Sequence, residues 1–354
     1  MVKRLTQRRV TREDVASLAG TSVAVVSYVI NNGPRPVAEA TRERVLQAIR
    51  QTGYQPNSIA RALASGTSRT FGVVVPDISN SFIASLAHEL LQESMRYGHV
   101  MLLGDSGDDC QREREIIQGL LNRQVDGLIY ISADRHPHTD MIRRNGTPVV
   151  MLDGVEPEPG VSVLRMNERQ AAREATAHLL SHGYREVGII TGPARMLNSR
   201  DRLQGWIDAM GNAGLAINPQ WVVPADYTRH GGYQAALQLL AGPGYPRALF
   251  ICNEQMATGS LRAFHQQGIR VPDDLAIVGF NGTDQGAYLL PSLTSVRQPI
   301  ADIAATAIRL LHTWQADAGL HEIRHYLDVG ESCGCPAGSP LTESGRGKYE
   351  TDNY

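Results

Sequence analysis

The stretch Val10-Thr-Arg-Glu-Asp-Val-Ala-Ser-Leu-Ala-Gly20, followed at once by Thr21-Ser-Val-Ala-Val-Val-Ser-Tyr-Val-Ile-Asn31, decides how the chain begins. Thr11 stands three residues before Asp14, the spacing at which a hydroxyl and an acid satisfy the open N–H groups of a helix start. Glu13 and Asp14 put negative charge in the first turn, where the helix dipole favours it. Val15, Leu18 and Ala19 give this helix an apolar side, and Gly20 breaks it. Thr21 or Ser22 opens a second helix that runs to Asn31. Two short helices joined by a tight glycine turn make a helix-turn-helix. In the second helix Val26 points inward with Val29 and Ile30. A third amphipathic helix is expected from about Ala40 to Gln51, with Val45, Leu46 and Ile49 inward and Gly53 as its stop. Beyond Pro56, Asn57 can cap a last short helix from Ser58 to Ala64. A segment of about eight residues nucleates a helix poorly in water, so on its own it would be marginal.

The charge is distributed to match. The chain has 354 residues and a net charge of −2. Residues 1–70 hold Lys3 and ten arginines against four acids, a net of +7, which leaves −9 on the remainder. A basic head on an acidic body points to a polyanion partner for the head alone. The length suits two or three domains of roughly 100–200 residues each. A composition of 42% hydrophobic and 20% charged residues excludes global disorder. No apolar run reaches the roughly 18 residues of a membrane span. No apolar segment follows the basic N-terminus, as a secretory signal requires. A cytoplasmic protein with no membrane partner is therefore expected. Cys110, Cys252, Cys333 and Cys335 are too few and too scattered for a disulfide framework. Cys333-Gly-Cys335 could hold a metal, but residues 333–354 read as a polar, disordered tail with spare thiols, and no metal is expected. With a single leucine, Leu341, that tail lacks the heptads of a tetramerising coiled coil. Nothing in the sequence assembles a nucleophile, a base and an orienter. Neither catalysis nor a cofactor is expected.

The body alternates strands and helices. Phe71-Gly-Val-Val-Val75 is a short buried strand ended by Pro76. Helices are expected over 81–97, 110–123, 168–182, 201–213, 231–241 and 255–267. Strands are expected over 99–103, 127–131, 148–152, 187–191, 248–252 and 275–280. The chain would cross back near Val296 to Pro299, form a helix over about 300–315 and end in a strand over about 325–329. This alternation implies right-handed βαβ units and parallel sheets. Two such halves suggest two Rossmann-like lobes with a cleft between them. Ligands bind beyond the carboxyl ends of parallel strands, which picks out Pro76 to Phe82, Asp105, Asp153, Asn253 and Asn281.

The N-terminal motifs, together with Thr41-Arg-Glu-Arg-Val45, Gly53-Tyr-Gln-Pro-Asn57 and Ala60-Arg-Ala-Leu63, resemble those of the LacI/GalR family of bacterial transcriptional regulators. The resemblance covers about residues 10 to 332. It implies an α/β chain with an all-α helix-turn-helix domain at 1–56 and a hinge helix and linker at 57–70. A type I periplasmic-binding-protein-like core would follow at 71–332, with one lobe at about 71–167 and 297–332 and the other at about 168–296. It also implies a homodimer on a near-palindromic double-stranded DNA operator. Val23, Ala24 and Tyr28 would face the bases. Ser22, Ser27 and Asn31 would contact phosphates, with Thr11, Tyr54 and Asn57 assisting. In the hinge, Ala60, Arg61 and Leu63 would meet the minor groove, Leu63 as an apolar wedge. The chain departs from the family's commoner pattern at Tyr28, often Arg, and at Ala38, usually a capping Ser. Tyr28 cannot pair bidentately with guanine, and Val23 and Ala24 offer only apolar contact, for which a thymine methyl is the obvious target.

The resemblance further implies a small effector, a sugar or sugar acid, bound by Asn80, Ser81, Phe82, Asp153, Arg202, Tyr227, Asn253, Asn281 and Gln298. Amides and an acid suit paired hydroxyls, Arg202 forks onto an anion or vicinal hydroxyls, and an aromatic ring covers an apolar sugar face. Asn281 and Met166 stand where the family often has Asp, which makes the cleft less negative. The competing reading is a solute-binding protein without a DNA role. It would have a signal peptide and no basic head.

Overall fold

The computed structural model describes residues 10–31, 35–56, 62, 66–132, 137–152, 160–314 and 319–336. The chain divides into two compact units, residues 1–68 and 69–354.

The first unit is helical. Helix α1 spans Arg12–Leu18, α2 Val23–Asn31 and α3 Glu39–Thr52. Thr11 and Asp14 form the expected reciprocal cap: Thr11 N donates to Asp14 Oδ2 at 2.8 Å, and Asp14 N donates to Thr11 Oγ1 at 3.3 Å. The chain bends by 104° between α1 and α2, within the range of a helix-turn-helix. Val15, Ala16, Ala19, Val26, Val29, Val45, Ala48 and Tyr54 build the core. Leu18 and Leu46, expected inside, are 53% and 38% exposed. On these short helices the small Ala16 and Ala48 take the inner positions and let the helices approach closely. Ala38 starts α3 without a side-chain cap, and Gly53 ends it in the left-handed conformation at φ 63°.

The second unit holds two six-stranded sheets. Strands β1 (Thr70–Val75), β2 (Val100–Asp105), β3 (Gly127–Tyr130), β4 (Val149–Leu152), β5 (Ser162–Met166) and β11 (Leu320–Ile323) form the first. Its order is β11-β5-β4-β3-β1-β2, all parallel. Strands β6 (Val187–Thr191), β7 (Val222–Pro224), β8 (Ala248–Ile251), β9 (Ala276–Asn281), β10 (Thr294–Arg297) and β12 (Tyr326–Asp328) form the second. Its order is β12-β10-β9-β8-β6-β7, with only β12 antiparallel. Alternation along β1 sends Phe71, Val73 and Val75 to one core and Val74 to another, as a strand buried on both faces requires.

Helices α4 (Ser81–Arg96), α5 (Cys110–Leu121), α6 (Thr139–Arg144) and α11 (Ile300–His312) belong to the first lobe. Helices α7 (Glu168–Ser181), α8 (Leu197–Asn212), α9 (Arg229–Leu240) and α10 (Glu254–Gln266) belong to the second. No single described helix is long and apolar enough to cross a membrane.

Four differences from the sequence reading stand out. Strand β5 was not anticipated, because Ser162–Met166 is short and carries Arg165 within its apolar run. Strand β10 occupies residues read only as a crossover, and the short β7 was also missed. The C-terminal segment forms two strands rather than one, β11 in the first sheet and β12 in the second. The chain therefore passes between the lobes a third time, near Arg324 and His325, and residues 326–336 pack with the second lobe rather than the first. Backbone bonds hold them there: Ile277 N donates to Ser332 O at 2.7 Å, and Ser332 Oγ donates to Ile277 O at 2.8 Å. Cys333 is accordingly fully buried, not the start of a polar tail.

Candidate functional site

In both sheets the central strands run 2-1-3-4-5, so the topological switch lies between β1 and β3 in one and between β6 and β8 in the other. Crevices form at such switches, beyond the carboxyl ends of the strands. The second unit has one there: an empty volume of about 980 Å³, partly open to solvent, between the two lobes. The first lobe contributes Pro76, Asp77, Asn80, Phe82 and Ile83 after β1, Asp108 after β2, Ile131 and Ser132 after β3, and Leu152. The second contributes Pro193, Arg195, Met196, Leu197, Asn198, Arg202, Asp226, Tyr227, Thr228, Asn253 and Asn281.

Six of the expected effector residues line this space: Asn80, Phe82, Arg202, Tyr227, Asn253 and Asn281. Two do not. Ser81 is buried in a polar contact between the lobes, where Gln255 Nε2 donates to its Oγ at 2.7 Å. Gln298 is buried and donates to Asn281 Oδ1 at 3.1 Å. With Met166 it lines a smaller, mostly apolar volume of about 380 Å³. Asp153 lies outside the described residues. Asp105 holds its own loop, accepting from Gly107 N at 2.9 Å.

Several of the six also have structural duties. Asn80 Oδ1 caps α4 through Phe82 N at 3.0 Å. Asn253 caps α10 through Met256 N and donates to Tyr227 O, both at 2.8 Å. Arg202 is 2% exposed. Its Nε donates to Glu168 Oε2 and its Nη1 to Cys252 O, each at 2.6 Å. Its guanidinium lies 3.8 Å from the centre of the Phe280 ring. It anchors the wall of the cavity as much as it faces it.

Three lining residues adopt left-handed backbone, Asp108 at φ 59°, Tyr227 at φ 68° and Asn281 at φ 91°. Such strain collects where a side chain must be aimed. Gly192 makes room for one of them, since a Cβ there would sit 2.1 Å from Tyr227 Cζ. The Tyr227 hydroxyl donates to Asn198 Oδ1 at 3.3 Å, and burial pushes its pKa up. Burial also raises Asp108, against the pull of Arg195 and with help from Asp77. The cavity thus offers arginines, carboxylates, amides and two aromatic rings to one bound molecule.

Asp108, Ser132, Arg195, Asn198 and Asp226 escaped the sequence reading, whereas Asp77 falls in the stretch Pro76 to Phe82 that it picked out. The rule that found Asn80 and Asn253 would have reached most of them, had it been applied past β3, β6 and β7 as well as past β1 and β8.

In the helical unit, Ser22, Val23, Ala24 and Asn31 are exposed and Ser27 and Tyr28 half-exposed, all on the outer face of α2. Val26 and Val29 face the core. Ser22 Oγ accepts from Val25 N at 3.3 Å, and Asn31 Nδ2 donates to Ser27 Oγ at 3.2 Å. Tyr54 is 8% exposed, and its hydroxyl accepts from Arg12 Nε at 3.2 Å. That position is mainly structural. Asn57, Ala60, Arg61 and Leu63 lie outside the described residues.

The helical unit and the two-lobed unit both match known proteins. Residues 11–57 match the model of bacterial regulatory proteins of the lacI family, and residues 176–333 match that of a periplasmic binding protein-like domain. Catabolite control protein A of Priestia megaterium is 33% identical over 91% of this chain and 99% of its own length. The chain belongs to the lacI family of bacterial regulatory proteins. Its role is that of a DNA-binding transcriptional repressor. The HTH-type transcriptional repressor CytR of Escherichia coli K12 is 34% identical over 85% of this chain and 88% of its own. Among solved structures, one described as the lac repressor dimer bound to operator and the anti-inducer ONPF matches with a TM-score of 0.82. It is 25% identical and covers 92% of this chain and 99% of its own. Another, described as a complex of the transcriptional regulator CelR with cellobiose, matches with a TM-score of 0.68. It is 29% identical and covers 92% of this chain and all of its own.

Proposed function

We propose that this repressor is controlled by a small carbohydrate or sugar acid bound in the interlobe cavity. The observation that carries the reading is the cavity itself, at the switch points of both sheets, with Arg195 and Arg202 beside Asn198, Asn253 and the rings of Phe82 and Tyr227. Hydroxyls take the amides and carboxylates, an acidic group takes an arginine, and the rings cover a sugar face. The relative described as a cellobiose complex supports this ligand class. Control follows if the effector favours one arrangement of the lobes over another.

On the DNA side, a homodimer would read a near-palindromic operator in the cytoplasm. Val23, Ala24 and Tyr28 would meet base edges, and Ser22, Ser27 and Asn31 the phosphates. Dimerisation through the first lobe is supported by its exposed apolar side chains. Leu91 and Met95 on α4 and Val100, Leu102 and Leu103 on the edge strand β2 are between 37% and 62% exposed. An edge strand of this character is normally covered.

Thermal unfolding against a panel of sugars, sugar acids, sugar phosphates and nucleosides tests the effector. A ligand at 100 times its Kd stabilises by about 2.7 kcal/mol. Arg195→Ala and Asn198→Ala should abolish the response of any hit without lowering the unliganded Tm. A hit that both variants retain would place its site elsewhere.

A further inference from the structure

The helix α7 carries His178 and His182 at its C-terminal end, four residues apart and therefore on one face. The turn after β12 carries Cys333 and Cys335. Although about 150 residues separate the pairs in sequence, all four ligand-type atoms lie within 4.8 Å of one another. His178 Nε2 is 3.2 Å from Cys333 Sγ and 3.8 Å from Cys335 Sγ, and His182 Nε2 is 3.3 Å from Cys335 Sγ. We propose that His178, His182, Cys333 and Cys335 form a four-coordinate site for a zinc ion.

The distances fit the ion. Tetrahedral zinc holds nitrogen at about 2.0–2.1 Å and sulfur at about 2.3 Å, so its ligand atoms lie roughly 3.3–3.8 Å apart. Two imidazoles and two thiolates are the donor set of structural zinc, and four protein ligands leave no open position. The His-x-x-x-His spacing is also typical of such sites.

The surroundings hold the ligands in place. Gly334 takes φ 97° and lets the two cysteines turn toward the same point. The turn is clamped at Ser332, whose Oγ accepts from Thr294 N at 2.9 Å, and at Glu331, whose Oε2 accepts from Ser292 N at 3.0 Å. Thr294 Oγ1 lies 3.0 Å from Cys333 Sγ and 2.9 Å from Gly330 O, so its single proton can serve the sulfur. Such outer contacts orient ligands and tune the metal. Neither cysteine is tied into a disulfide. On binding, the ion would take both sulfurs as thiolates and release their protons to solvent.

The site would staple the segment 326–336, just past the third crossing between the lobes, to the first helix of the second lobe. The test uses the full-length, untagged protein, reduced and stripped with a chelator, then titrated with Co²⁺. About one cobalt per chain should bind, with thiolate-to-cobalt charge transfer in the near ultraviolet and tetrahedral bands in the visible. Zinc should displace it and raise the Tm. Cys335→Ser and His182→Gln, both at accessible positions, should lose this spectrum and the zinc-dependent shift. Cys110→Ser should keep both. Absence of a thiolate–cobalt spectrum in the wild type, or its survival in both variants, would overturn the site. So would a Cys333–Cys335 disulfide that persists under reducing purification.

Discussion

Gln255 Nε2 donates to Ser81 Oγ at 2.7 Å, and the two side chains belong to different lobes. Both are buried, Ser81 at the start of α4 and Gln255 at the start of α10. The same serine lies 3.5 Å from Glu254 Oε1, and Glu254 in turn accepts from Thr283 N at 2.6 Å. A polar seam therefore holds the lobes together behind the cavity. Ser81→Ala strands a buried amide and should cost about 1–3 kcal/mol. Equilibrium unfolding should show that loss. Effector affinity should change as well, because the bond favours the arrangement of the lobes seen in this structure. A variant with unchanged stability and affinity would mean the seam carries no weight.

Arg202 must be tested with its structural duty in mind. Its buried pair with Glu168 spans 2.6 Å. Removing one member of such a pair costs about 3–5 kcal/mol, because the other charge stays buried. Arg202→Ala should thus lower the Tm strongly and lose ligand response together. Arg202→Ala combined with Glu168→Gln should recover part of the stability without the response. Recovery of both would show that the arginine serves the fold alone.

Asp108 sets a pH dependence. Burial is the main reason its carboxyl is raised, with Asp77, Asp105 and Glu113 adding to it and Arg195 opposing. The folded state therefore holds the proton more tightly than the unfolded chain does. The folded state is penalised as pH rises from the ordinary carboxylate value of 3.8 through the raised one. Asp108→Asn should be more stable than the parent above that window and lose the advantage below it. Unfolding curves at several pH values read the difference directly. In the cavity, the same change removes a negative charge and should tighten an acidic effector more than a neutral one.

Much of this was legible in the residues, for physical reasons that vary by element. The cap at Thr11 and Asp14 and the stop at Gly53 are local, and local chemistry decided them. Buried parallel strands such as β1 announce themselves by continuous apolar runs. Strand β5 did not, because its neighbours β4 and β11 supply the pairing that its own sequence does not advertise. Four of the cavity's six expected residues, Asn80, Phe82, Asn253 and Asn281, follow from the carboxyl-end rule, which reads only one strand at a time, whereas Arg202 and Tyr227 were reached through the family resemblance. The meeting of His178 and His182 with Cys333 and Cys335 had no local signal, since sequence neighbours say nothing about a pair that a third lobe crossing brings back. The place of Gln298 was missed for the same reason: its partner Asn281 lies on another strand's end.

The outer face of α2 makes the last prediction. Val23 is 40% exposed while Val26 is fully buried, so the two valines have different jobs. Val26→Ala should destabilise the helical unit by leaving a cavity. Val23→Ala should leave its stability nearly unchanged. If Val23 and Tyr28 touch base edges, Val23→Ala and Tyr28→Ala should change which operator variants bind, by about 1–3 kcal/mol at the contacted base pairs. Ser22→Ala and Ser27→Ala, on phosphates, should weaken all sequences alike. Binding titrations against a randomised near-palindromic duplex, at one fixed salt concentration, separate these outcomes. A uniform loss for Val23→Ala and Tyr28→Ala would mean that sequence is read elsewhere, through DNA shape or from the segment after Pro56.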